Sequence, residues 1–142
     1  MSLYADTSFL IALYTLDGHS SAAARALTAA PGPILFPALS DLELHNALSL
    51  RIFRKEMTPD EVATAILLIQ ADVTEGTLSA IPLPESAFAR ARQLASSYSA
   101  SLGTRSLDIL HVACALELQA KAFFTFDRIQ NRLAHLVGLR TL

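Results

Sequence analysis

The 142-residue chain contains one cysteine, few charges and no excess of basic residues. The single thiol, Cys114 in the apolar run "HVACAL", closes no internal disulfide, which points to a reducing compartment and to a small core-filling side chain. Charged residues make up 17% and sum to a net charge of −2. That balance argues against a broadly basic nucleic-acid binder and leaves only a local basic face. The N-terminus has no basic segment ahead of an apolar one, and no uninterrupted apolar stretch reaches the roughly 18 residues a membrane span needs. A cytoplasmic protein without a membrane anchor is therefore expected. HxxxH and CxxC spacings, linkers, low-complexity segments and internal repeats are all missing. Their absence leaves a single domain over residues 1–142 and removes the common zinc signatures.

What is present is mostly apolar, with hydrophobic residues at 52%, as suits buried helices or a large association surface. Short strands are predicted at residues 2–5, at "ILF" (34–36), at "TLSAIPL" (77–83) and at "AFFTF" (122–126), with "GLRTL" as a terminal edge strand. Helices alternate with them. Thr7 or Ser8 is the expected cap of a helix running to about Leu16, and Ser20 or Ser21 starts an alanine-rich one. Ser40 with Glu43 three residues on reads as a capping box, and Pro59 as the first position of a helix with a Val62, Ile66, Ile69 stripe. "PESAFARARQLASSYSAS", "RSLDILHVACALELQAK" and "DRIQNRLAHL" are helical as well. This alternation predicts an α/β three-layer sandwich around a short, mostly parallel sheet of four to five strands.

Ligands of open parallel sheets bind outside the carboxyl ends of the strands. Asp6 follows the first predicted strand and Asp127 follows "AFFTF", although either acid also suits a helix cap. Glu43 stands between Leu42 and Leu44, and Asp108 between Leu107 and Ile109. Capping accounts for Glu43 taken alone, and helix-dipole complementarity for Asp108. Four acids at helix starts along one edge would repel by about 1 kcal/mol per pair at 4 Å even in bulk water, so a cation is needed among them. Oxygen donors without cysteine favour Mg2+ or Mn2+, which commonly bridge carboxylates to phosphate oxygens, hence a phosphodiester substrate. An aspartate phosphatase fits poorly, because position 8 is serine where such enzymes carry Asp-x-Asp.

"YADTSFLIAL", "SDLELHNAL", "RSLDILHVACALEL" and "FFTFDRIQNRLA" resemble, in order and approximate spacing, the four acidic blocks of PIN-domain nucleases. The resemblance covers essentially the whole chain, and its length is that of VapC-type toxins of toxin–antitoxin pairs. It implies a metal-dependent endoribonuclease in which Asp6, Asp108 and Asp127 ligate Mg2+ or Mn2+. Glu43 would share a metal or orient the attacking water. It also implies supporting roles for Ser8, Asn46 and Thr125, a VapB-type antitoxin partner and a homodimer. One departure stands out. Where many relatives carry a further acid after Thr-x-Asp, this chain has Arg128, Ile129 and Gln130, with Asn131 the nearest polar candidate. A PIN-like module that binds RNA or protein without cleaving is the alternative.

His111, three residues after Asp108, lies on the same helical face and suits a structural hydrogen bond better than a catalytic base. His19, His45 and His135 show no ligand spacing and are expected at the surface. Arg51, Arg54 and Lys55 either complement a helix dipole or contact an RNA backbone, and Arg105, Arg128 and Arg132 are further phosphate candidates. The segments "FLIALYTL" and "VATAILLIQADV" carry more apolar residues than one buried stripe requires. The surplus suits a dimer face or a groove for an antitoxin helix.

Overall fold

Along the first strand side chains alternate, so Leu3 and Ala5 enter one apolar cluster and Tyr4 enters another, and all three are buried. A strand apolar on both faces belongs inside a parallel sheet covered on both sides. The computed structural model describes residues 2–142. Its strands β1 (Leu3–Ala5), β2 (Ile34–Pro37), β3 (Leu78–Ile81) and β4 (Ala122–Phe124) pair in parallel throughout, in the order β3-β2-β1-β4. Helices α1 (Thr7–Tyr14), α2 (Ser20–Ala29), α3 (Ala38–Phe53) and α4 (Pro59–Glu75) supply residues to the cluster on one face. The other face is covered by α5 (Ser86–Leu94), α7 (Ser106–Glu117) and α8 (Arg128–Leu136). A π-helical turn at Ala95–Ser99 and the short α6 (Ala100–Leu102) continue α5, and Gly103 in the left-handed region ends the run. The three-layer α/β sandwich expected from the sequence is thus the fold observed.

Strand order fixes where a ligand belongs. The chain winds from β1 to β2 and β3 on one side, then returns across the sheet to place β4 on the other side of β1. The two carboxyl ends that diverge at that switch point leave a crevice between β1 and β4. Asp6 directly follows β1 and Thr125 directly follows β4.

Three local expectations are corrected. Asp6 itself caps α1, its Oδ1 accepting from the Phe9 N–H at 3.0 Å, so neither Thr7 nor Ser8 is the cap. Ser40 caps nothing, because β2 runs straight into α3 with Pro37 at the N-cap, which puts Glu43 a full turn too deep for a capping box. "GLRTL" contributes one bridge, Arg140 to Ala122, and not a strand. By contrast Thr58, Pro59 and Glu61 form the capping box and first turn of α4, and Gly76 closes it in the left-handed conformation. Among the described residues no helix is long and apolar enough to cross a membrane.

Candidate active site

Asp6, at the end of β1, is buried and is the carboxylate of the crevice with the most hydrogen-bond donors. Ser8 Oγ donates to its Oδ1 at 2.7 Å, the Phe9 N–H to the same oxygen, and Thr125 Oγ1 to Oδ2 at 2.8 Å. Burial nevertheless dominates and raises its pKa above the ordinary carboxylate value, those three donors only offsetting it. Ser8 and Thr125 also receive the N–H groups of Phe126 and Asp127, so the two strand ends are laced together through hydroxyls. Both Ser8 and Thr125 thus hydrogen-bond the Asp6 carboxylate.

Asp127 caps α8 by accepting from the Gln130 N–H through Oδ1 at 2.8 Å. Asp108 lies in the first turn of α7, about a third exposed, with Arg105 Nε 3.9 Å from its Oδ2. Its pKa is raised by burial and then by the charge of Asp127, with Glu43 adding to the effect and Arg105 and His111 opposing it. Glu43 Oε1 is hydrogen-bonded to His111 Nε2. The buried His111 also meets the Tyr4 hydroxyl through Nδ1 at 2.7 Å. Burial holds Tyr4 as a phenol, so its hydroxyl and the Glu43 carboxylate engage the two nitrogens of the ring. His111 is a positioning residue for Glu43. Replacing it by Phe strands the Tyr4 hydroxyl, and stability is expected to fall by about 1–3 kcal/mol in urea unfolding; an unchanged midpoint would mean that the Tyr4–His111–Glu43 chain carries no energy.

Two side chains escaped the sequence reading. Gln130 is buried, its Oε1 lies 2.9 Å from Thr125 Oγ1, whose single hydrogen it shares with Asp6 Oδ2, and it donates through Nε2 to the Asp108 carbonyl at 3.2 Å, so it ties α7 to the end of β4. Its signal was available, since it shares an apolar helical face with Leu133 and Ala134. Tyr4, a hydroxyl in an otherwise apolar strand, was the other. Of the remaining candidates, Asn46 is exposed one turn after Glu43, Arg105 and Arg128 are exposed, and Asn131 has a buried Oδ1 without a hydrogen-bond partner. Asp41, two residues before Glu43 on α3, pairs with His45 beside a separate cleft of about 740 Å³. Cys114 is a buried core residue with its thiol pushed up to about 11, which keeps it unreactive.

Whether these acids suit a divalent ion is a question of spare lone pairs. Asp6 Oδ1 is filled by two donors, but Oδ2 accepts only from Thr125 and keeps capacity. Asp127 Oδ2 and both oxygens of Asp108 accept no hydrogen bond among the described residues. All are oxygens, which fits Mg2+ or Mn2+. The side chains do not converge into a finished cage, since among the described residues no three His, Cys, Asp or Glu groups stand close enough together to hold an ion.

A family model described as the PIN domain matches residues 3–136. No curated protein matches the sequence. Among solved structures, the fold is similar to that of the sarcin-ricin-loop-cleaving toxin VapC20 of Mycobacterium tuberculosis, with TM-score 0.68 and 14% identity over 96% of this chain and 95% of that one. It is similar to VapBC2 of Rickettsia felis, solved with a promoter DNA fragment, at TM-score 0.68 and 15% identity over 100% and 98% of the two chains. A third similar structure, FitAcB of Neisseria gonorrhoeae, gives TM-score 0.67 and 14% identity over 99% and 96%.

Proposed function

Because the chain belongs to the PIN domain family, we propose that it is a metal-dependent endoribonuclease that hydrolyses RNA phosphodiester bonds, and that it is the toxin of a toxin–antitoxin pair. The observation that carries this reading is the crevice at the β1–β4 switch point, where Asp6 and Asp127 stand at the two strand ends and the charges of Asp127 and Glu43 act on Asp108. Mutually repelling carboxylates with spare lone pairs are a poor structural device and a good cation site.

Asp6, Glu43, Asp108 and Asp127 are the residues that would hold Mg2+ or Mn2+, with Asn131 the nearest polar candidate for the further acid that many relatives carry. Bound there, the ion would lower the pKa of a water and offset charge on the attacked phosphate. The chain itself does the rest. Ser8 and Thr125 keep Asp6 in one orientation, His111 does the same for Glu43, and Arg105 and Arg128 stand at the rim where phosphates would pass. No covalent intermediate is needed.

The test is cleavage of a single-stranded RNA by the purified protein with Mg2+ and with EDTA, read together with thermal stability. Mg2+ is expected to support cleavage and to raise Tm, since it binds the folded state alone. The rise in Tm should be clear at about pH 8 and shrink toward about pH 5, because protons compete for Asp6 and Asp108, whose affinity for them is raised. No cleavage at any metal concentration would overturn the reading in favour of a binding module. That second reading is favoured by the lack of a finished metal cage among the described residues.

The antitoxin and homodimer proposals rest on apolar exposure. The surplus of "FLIALYTL" is mostly core, since Phe9, Leu10, Ile11 and Ala12 are buried. On α4, Leu67 and Leu68 are 66% and 53% exposed, and this face suits a second copy or an amphipathic antitoxin helix.

A further inference from the structure

Two clefts share Phe126 and Asp127, and one of them holds a feature that packing alone does not require. That cleft, about 440 Å³, is lined by Ser8, His19, Arg51, Arg54, Phe126 and Asp127, among others. His19 is exposed, yet its ring lies flat on Phe126, with centroids 4.3 Å apart and planes 10° off parallel. Phe126 in turn stacks on the buried Phe9 at 5.5 Å and 17°. A column of rings therefore runs from the core to the surface and ends on the exposed His19.

The column is held at both ends. The His19 N–H donates to Asp17 Oδ1 at 2.7 Å, and Arg51 anchors Asp17 through Oδ2 at 3.5 Å. The Phe126 N–H donates to Ser8 Oγ, the same hydroxyl that fixes Asp6. The backbone of Phe126 and the Asp6 carboxylate thus share one hydroxyl. Arg51 is engaged by Asp17 and Glu56, whereas Arg54 makes no ion pair among the described residues. On the far side of Asp127 a second cleft, about 720 Å³, presents Arg128 and Arg132.

Aromatic platforms accept any nucleobase face, each stacked base being worth about 1–3 kcal/mol, or roughly 5- to 150-fold in affinity. We propose that His19, laid on Phe126, stacks one unpaired base of a single-stranded nucleic acid, that Arg54 takes an adjoining phosphate, and that the strand continues across Asp127 toward Arg128 and Arg132. This rests on the nuclease reading for the identity of the strand. A paired base cannot present its face to the platform, so the subsite selects single strands over duplex.

The experiment uses the Asp108→Asn protein with Mg2+, to hold substrate uncleaved, and a series of short single-stranded RNAs carrying 2-aminopurine at successive positions. One position should be quenched on binding. His19→Ala in the same background should lose that quench and bind about fivefold or more weakly, while His19→Tyr keeps both. An abasic nucleotide at the quenched position should weaken binding to the parent and cost nothing further with His19→Ala. Equal binding and quench with His19→Ala, abasic and His19→Ala losses that add, duplex bound as tightly as single strand, or no RNA binding at all would each overturn the proposal. The two readings fail separately. Wild-type protein that binds with a His19-dependent quench and cleaves nothing loses the nuclease reading and keeps the subsite, and one that cleaves with an unchanged KM in His19→Ala loses only the subsite.

Discussion

Asp108→Asn is expected to lower Mg2+-dependent RNA cleavage by about 10²–10³-fold or more while leaving the protein folded. The substitution keeps the shape of the side chain and removes one negative charge from a site where Asp127 and Glu43 already oppose it. The stability consequence has a definite sign. Because the folded-state pKa of Asp108 is raised, ionisation opposes folding, so its contribution is most favourable below the ordinary carboxylate range and is lost as pH rises through the raised value. At neutral pH an amide should therefore leave Tm unchanged or slightly higher. Loss of cleavage with Tm retained is the signature of a metal ligand. A variant that cleaves RNA as fast as the parent would remove Asp108 from the site, and one that unfolds would make it structural.

Phe123→Ala should have the largest effect on stability, about 3–5 kcal/mol, against a total that for ordinary domains is about 5–15 kcal/mol. Phe123 is fully buried in β4, and its ring stacks on Tyr4 of the neighbouring β1 with centroids 5.4 Å apart and planes 7° off parallel. Truncation leaves a cavity against the ring whose hydroxyl meets His111, so looseness there passes to Glu43. Tm is expected to fall by about 10–20 °C in calorimetry. A fall of less than about 3 °C would mean that this layer repacks.

The parts of the site that follow from short-range pattern were legible in the sequence. Asp6 and Asp127 could be placed because each sits where an apolar strand gives way to a helical run, and that junction is a carboxyl end of a parallel strand. Glu43 was harder, since its Ser40 neighbour imitates a capping box. Only the absence of any loop between β2 and α3 shows that the helix has already begun. Asp6 was read as a ligand with Thr7 and Ser8 as caps, whereas one carboxylate performs the capping and still keeps a lone pair. His111 was expected to make a structural hydrogen bond, but its partners, Tyr4 and Glu43, come from two other elements and no spacing announces them. The His19–Phe126 stack is of the same kind. It exists because the turn after α1 and the end of β4 meet in space, which pattern along the chain does not encode.

Asp6 and Thr125, joined by a hydrogen bond, are 119 positions apart. Synthesis proceeds in one direction, so Ser8 and Phe9 are at hand at once, but the ribosome must add every residue up to Thr125 before Asp6 can acquire its third donor. Until then β1 has an unpaired edge on the side that β4 will occupy, an edge open to aggregation. A nascent or truncated chain ending before β4 therefore has no assembled carboxylate crevice, whatever helices it has formed.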